Sequence, residues 1–171
     1  VELLKTEASS VAMFDNITVD HAVTLTCAPE LAYLPPDPED AKTDVKALIH
    51  RMANCGFEIV EGGSLVLDGI SISGIDLSNP SFNTEPLFLV NGGDLSLTNG
   101  AAIVYVWGFG NRAANAVAVY GGGRFTMVDG TSITGGRNAY LDESDLTSVG
   151  SAVLIDDGAA YLYGGTITRN S

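Results

Sequence analysis

The stretch FEIVEGGSLVLDGISISG, from Phe57 to Gly74, decides the fold. It reads as a short apolar strand, a tight turn at Gly62-Gly63, a second strand, a turn at Asp68-Gly69 and a third short strand. Gly, Asn and Asp mark such turns because they tolerate positive φ. Leu65, Leu67, Ile70 and Ile72 alternate with polar or small residues. A period of two sends one set inward and the other to solvent. Three further segments repeat this order: FLVNGGDLSLTNGAAIV (Phe88–Val104), AVAVYGGGRFTMVDGTSITGG (Ala116–Gly136) and SAVLIDDGAAYLYGGTITRN (Ser151–Asn170). The first turn recurs at Gly92-Gly93, Gly121-Gly122-Gly123 and Asp157-Gly158. The second recurs at Asn99-Gly100, Asp129-Gly130 and Gly164-Gly165. Leu95 with Leu97, Phe125 with Met127, and Tyr161 with Tyr163 keep the alternation.

Successive first turns lie 30, 29 and 36 residues apart, and a loop through Asn138–Thr147 accounts for the longest spacing. A period of this size marks a solenoid or an array. Helical repeats need amphipathic helices, which Gly-Gly every few positions forbids. Propeller blades need about 40–45 residues and four antiparallel strands. Three short strands bent at small turns instead close a triangular coil, and successive coils bond in parallel around a continuous core. The expectation is an all-β, right-handed, single-stranded parallel β-helix of five to six coils, roughly 25–30 Å tall. It forms one domain over 1–171, with N-terminal coils and an irregular insertion near 28–46 in residues 1–56, then regular repeats over 57–171.

The segments resemble the β-helix repeats of bacterial cell-surface and adhesin-like proteins, of the pectin-lyase-like superfold. There a strand, "GG", "LxLxx" and "GxTIxG" recur in this order. VEGGSLVLDGISISG, FTMVDGTSITGG and LYGGTITRN carry the likeness, which covers about Ala12–Asn170. The resemblance implies an architecture and a secreted or surface location. It implies little about activity, because the superfold hosts lyases, hydrolases, adhesins and stalks.

Before these repeats, NITVDHAVTLTC (Asn16–Cys27) reads as two short strands around Asp20-His21. LAYLPPDPEDAKTDV then breaks the pattern with three prolines. Asp37 and Pro38 suit the N-cap and first position of a helix, with Val45, Leu48, Ile49 and Met52 on one face. The competing reading makes Ala47–Arg51 a strand. Cys27 and Cys55 are 28 residues apart, near one coil, so they are expected to stack, bridged or as a thiol pair. Two unpaired small apolar residues is the alternative.

The chain has 171 residues, 46% hydrophobic, and a formal net charge of −13. Such a chain repels phosphate backbones, so nucleic acid is not an expected partner. Its mean hydropathy of +0.22 argues against disorder. No apolar run reaches the roughly 18 residues of a membrane span. The chain opens at Val1 and closes on GGTITRNS, so it reads as a piece of a longer protein whose repeat continues.

Catalytic, cofactor and metal sites are expected to be none. Asp156-Asp157 reads as a turn pair. The polygalacturonase-type aspartates with Gly-His-Gly and Arg-x-Lys lack their partners, since only His21 and His50 are present and neither is flanked by glycine. A pectate-lyase-type calcium site with an arginine base finds no arrangement among Arg112, Arg124, Arg137 and Arg169. Asp142, Glu143 and Asp145 read as a solvated acidic loop without EF-hand spacing. Ser71-Ile72-Ser73, Ser132-Ile133-Thr134 and Thr166-Ile167-Thr168 are expected to stack with solvent-facing hydroxyls, and the second repeat interrupts the row with Ala102-Ile103-Val104. Tyr105, Trp107 and Phe109 lie at period two, forming core if inward and a ligand platform if outward. Tyr120, Tyr140, Tyr161 and Tyr163 add polar-tipped surface. The expected role is a non-catalytic extracellular module whose loops Leu31–Thr43, Asp76–Glu85 and Asn138–Thr147 meet a host or matrix glycan or protein. The alternative is a polysaccharide-active enzyme whose site lies outside these segments.

Overall fold

The computed structural model describes residues 2–3, 11–13, 15–27, 49–51, 55–74, 85–109, 115–139 and 152–170, with backbone alone for 2–3, 11–12, 27, 107–109 and 137–139. Among them there are strands and turns and no helix. The chain runs β1 (Glu2–Leu3), β2 (Val11–Met13), β3 (Ile17–Val19), β4 (Ala22–Cys27), β5 (Ile49–Arg51), β6 (Phe57–Val60), β7 (Ser64–Asp68) and β8 (Ser71–Ser73). It continues with β9 (Phe88–Asn91), β10 (Asp94–Thr98), β11 (Ala102–Val104) and β12 (Trp107–Phe109), then β13 (Val117–Tyr120), β14 (Arg124–Met127), β15 (Ser132–Thr134) and β16 (Arg137–Ala139). It ends with β17 (Val153–Ile155), β18 (Ala159–Leu162) and β19 (Thr166–Thr168).

The strands fall into three stacked faces. The first sheet is β1-β4-β7-β10-β14-β18, the second β2-β5-β8-β11-β15-β19, and the third β3-β6-β9-β13-β17; β12 and β16 add a two-stranded sheet. Every pairing between these strands is parallel, as a coil laid upon a coil requires. The strand Ile49–Arg51 settles the helix-or-strand alternative for that stretch, since its backbone pairs with β2 and β8. The irregular insertion expected near 28–46 lies outside the described residues; its flanks enter from the first sheet and leave into the second.

Register builds the core. Val23, Leu65, Leu95, Phe125 and Ala160 form one inward row of the first sheet, and Leu25, Leu67, Leu97, Met127 and Leu162 the next. Ile49, Ile72, Ile103, Ile133 and Ile167 form an isoleucine row in the second sheet. Ile17, Phe57, Phe88, Val117 and Val153 form one in the third. Through the middle coils these side chains are almost completely withdrawn from solvent, and they form a single cluster. Each fully buried aliphatic side chain contributes about 1.5–3 kcal/mol from leaving water.

The turns divide the work between φ and space. At the corner from the third sheet to the first, Gly62, Gly92, Gly121, Gly122 and Asp157 adopt positive φ. The glycine after each, at 63, 93, 123 and 158, lies against the coil beneath, where a Cβ would strike backbone or an aliphatic side chain. The corner from the first sheet to the second uses Gly69, Asn99, Gly100, Gly130 and Gly165 in the same region. A third corner follows the second sheet: Tyr105, Gly135 and Arg169 come directly after the paired residues Val104, Thr134 and Thr168, all with positive φ. Glycine marks it only at Gly135, because the other two members are Tyr and Arg.

The hydroxyl rows stack in the expected register, Ser71 on Ala102, Ser132 and Thr166. Their expected exposure is full at Thr166 and Thr168, partial at Ser132 and Thr134, and lost at Ser71 and Ser73. Ser71 and Ser73 are buried, whereas Thr166 and Thr168 are exposed. Alternation fixes which side of a sheet a residue occupies, and not whether that side is wet. Here the outer side of the second sheet is packed, with Ala102, Val104 and half-buried Tyr105 forming a small second cluster.

Asn170 ties the last corner to the coil beneath. Its Nδ2 donates to the carbonyls of Ile133 (3.2 Å) and Thr168 (2.9 Å), and its Oδ1 accepts from the Gly136 N–H (3.0 Å). Asn170→Ala is expected to cost about 1–2 kcal/mol in a urea titration, because it strands a partly buried N–H and a carbonyl. An unchanged midpoint would show that water replaces these bonds.

Candidate recognition surface

The outer side of the first sheet carries the most chemistry among the described residues. Its outward rows follow from register: Ser64, Asp94, Arg124 and Ala159, then Val66, Ser96, Thr126 and Tyr161, then Asp68 and Thr98. Because Ala160 and Leu162 continue the inward rows, Tyr161 points outward, and Tyr163 with it. They are 43% and 71% exposed. Their ring centroids lie 6.4 Å apart with planes within 12°. The backbone beneath is fixed: Thr126 pairs with Tyr161, and the Tyr163 N–H donates to the Met127 carbonyl (2.9 Å).

Beside the rings, Arg124 bonds Asp94 of the coil below, with Nε to Oδ1 at 2.7 Å and Nη2 to Oδ2 at 3.3 Å. Asp94 raises the Arg124 pKa, first through this hydrogen bond and then through its charge; the small desolvation opposes it, and Tyr161 adds in the same direction. At the far edge, the Asp68 carboxylate accepts from Thr98 Oγ1 (3.2 Å) and from Asn99 Nδ2 (2.5 Å). The surface thus sets two apolar ring faces beside paired donors and acceptors.

A second feature is a cavity of about 190 Å³ where the chain enters the third sheet. It lies between Asn16, Phe57, Glu58, Glu85, Pro86 and Leu89. The buried Arg51 braces its rim, donating from Nη2 to the Glu85 carbonyl (2.9 Å). Nothing in the residue pattern marks this arginine for burial, since it ends a three-residue strand in a stretch that reads two ways.

The aromatic trio is divided by a corner. Tyr105 turns the chain at φ 52 between β11 and β12, so it does not share a strand with Trp107 and Phe109. Its ring lies over Gly135, where a Cβ would meet it at 2.7 Å. The side chains of Trp107 and Phe109 lie outside the described residues.

Cys27 and Cys55 stand on different parts of the coil. Cys27 closes β4 and pairs with Leu3. Cys55 precedes β6, is buried, and its thiol donates to the Met13 carbonyl (2.9 Å). The two do not stack in register. The 28-residue spacing is not a coil here, because the insertion lengthens this lap and Thr26 is placed on Asp68. The Cys27 side chain lies outside the described residues.

Asp157 serves the turn: it holds φ 61, and its carbonyl accepts from the Gly122 N–H. Exposed His21 pairs with Asp20 (2.6 Å), which lowers the Asp20 pKa by hydrogen bonding first, then through the Asp20 backbone and the imidazole charge. Among the described residues no three of His, Cys, Asp and Glu gather as metal ligands. Arg112, Asp142, Glu143, Asp145 and the loop Leu31–Thr43 lie outside the described residues, as does most of Asp76–Glu85 and Asn138–Thr147. The strands that flank 75–84 belong to the second and third sheets, and those that flank 140–151 to the two-stranded sheet and the third. No protein-family model, curated protein or solved structure matches the chain.

Proposed function

We propose that the chain is a non-catalytic extracellular module, adhesin-like or structural, whose rigid stack displays surfaces for glycan or protein binding. The observation that carries this reading is the pair of exposed, near-parallel tyrosines on a backbone locked by parallel pairing. Two rings turned to water from the end of one strand and the residue that follows it form a surface suited to being covered by a ligand. Right-handed winding in five to six coils, of pectin-lyase-like type, is part of the same reading; parallel crossovers are right-handed in about 98% of cases. The net charge of −13 and the likeness to bacterial surface repeats support a secreted or surface location.

The test is a glycan array together with a pull-down from extracellular-matrix protein. Binding in either supports the module. Silence in both overturns the binding role and leaves a structural spacer, and unsaturated product from polyuronide would replace the reading with a lyase.

A further inference from the structure

Resting on that reading, we infer that the first sheet's outer side around Tyr161 and Tyr163 binds a neutral glycan, with a pyranose face against the tyrosine pair and hydroxyls on the Arg124–Asp94 pair and Thr126. The inference narrows both the place and the ligand class.

The rings come first. A pyranose presents a flat face of C–H bonds, and a tyrosine offers that face an apolar ring with little side-chain entropy to lose. With planes within 12° of parallel, a pyranose meets either ring at the same tilt. The strand beneath is held by paired backbone, so the cost of ordering the site on binding is small.

The polar groups come next. A sugar hydroxyl both donates and accepts. The Arg124–Asp94 pair sets N–H donors and carboxylate acceptors side by side on the same surface, in the row next to Thr126 and Tyr161. Both partners remain accessible, at 61% and 41% side-chain exposure. A hydroxyl therefore finds complementary groups without separating the pair. An apolar protein surface would leave them unmatched. Ser64, Ser96, Thr98 and Thr126 put hydroxyls among the small apolar Val66 and Ala159 on this surface, unlike the apolar centre of a protein interface.

Charge decides the last point. With Arg124 already neutralised by Asp94 and the whole chain at −13, a polyuronide or sulfated chain meets net repulsion. The ligand is uncharged.

The test is affinity electrophoresis through gels holding soluble β-glucan, galactan or mannan, with polygalacturonate as the acidic control. Retardation by at least one neutral polymer and none by polygalacturonate is expected. The Tyr161→Ala/Tyr163→Ala double variant should weaken that binding by about tenfold or more, with an unchanged unfolding midpoint. Tyr161→Phe/Tyr163→Phe should keep it within a few fold, because stacking survives without the hydroxyls. Full binding by the alanine variant would overturn the site and leave the module reading intact. Retardation by polygalacturonate alone would overturn the ligand class. Capture of a matrix protein without any glycan binding would overturn this inference alone, and silence toward glycans and proteins alike would remove the binding role with it.

Discussion

Gly93→Ala should lower the unfolding free energy by about 3 kcal/mol, near the top of the range for overpacking a tight site. The argument is steric. A Cβ at this position would lie 2.5 Å from the Val60 carbonyl oxygen, 2.5 Å from Ile59 Cγ2 and 2.8 Å from the Gly63 oxygen. Two of these are backbone atoms of the coil beneath, which cannot swing aside as a flexible side chain does. Relief would require the coils to separate where the Asp94 N–H bonds the Gly63 carbonyl (3.0 Å). Gly122→Ala is the control. Gly122 has φ 77 and nothing within 4 Å of the added carbon, so only the left-handed backbone is penalised, at about 1–2 kcal/mol. Urea titrations with matched slopes would rank the two. A Gly122 variant as damaging as the Gly93 variant would mean that φ, and not coil spacing, explains the repeated Gly-Gly.

That contrast also shows what the letters of the sequence carry. Gly-Gly announced a turn, and the turn is there, but its two glycines serve different ends. In the last coil Asp157 takes the φ-bearing place while Gly158 keeps the close one. The inward rows at Leu65, Leu95 and Phe125 were legible because alternation and turn spacing agree on one register. Alternation set Tyr161 and Tyr163 in series with Leu95 and Leu97 and with Phe125 and Met127, which is one residue out of step: pairing with β14 places Ala160 on Phe125 and Leu162 on Met127, so the tyrosines face outward. The 28-residue interval between Cys27 and Cys55 matches the coil length only where no insertion intervenes, and here Thr26 is placed on Asp68. The Tyr105 corner was missed because a Tyr with positive φ leaves no compositional mark. The candidate surface was therefore half visible: its aromatic residues were noted, but their alignment with Arg124 and Asp94 depends on coils a whole period apart.

Phe88→Ala is expected to cost about 3–5 kcal/mol, the range for removing a buried aromatic ring. Phe88 is fully withdrawn from solvent, its ring stacks on Phe57 at 5.1 Å and 13°, and its strand pairs with β6 below and β13 above. In a solenoid each coil is held by its neighbours alone, so a void in a middle coil weakens the contacts on both sides of it. Leu162 belongs to the same inward system but is 57% exposed, on the last described strand of the first sheet. Leu162→Ala removes less buried surface and adjoins one described coil, so its cost should stay near 1 kcal/mol. Phe88→Leu should fall between the two, because it keeps an apolar side chain but loses the ring contact with Phe57. Guanidinium unfolding of the three variants measures the ordering directly. Equal costs for Phe88→Ala and Leu162→Ala would mean that the rows do not act as one buried column, since a continuous column must respond more strongly in its middle than at a coil open to water.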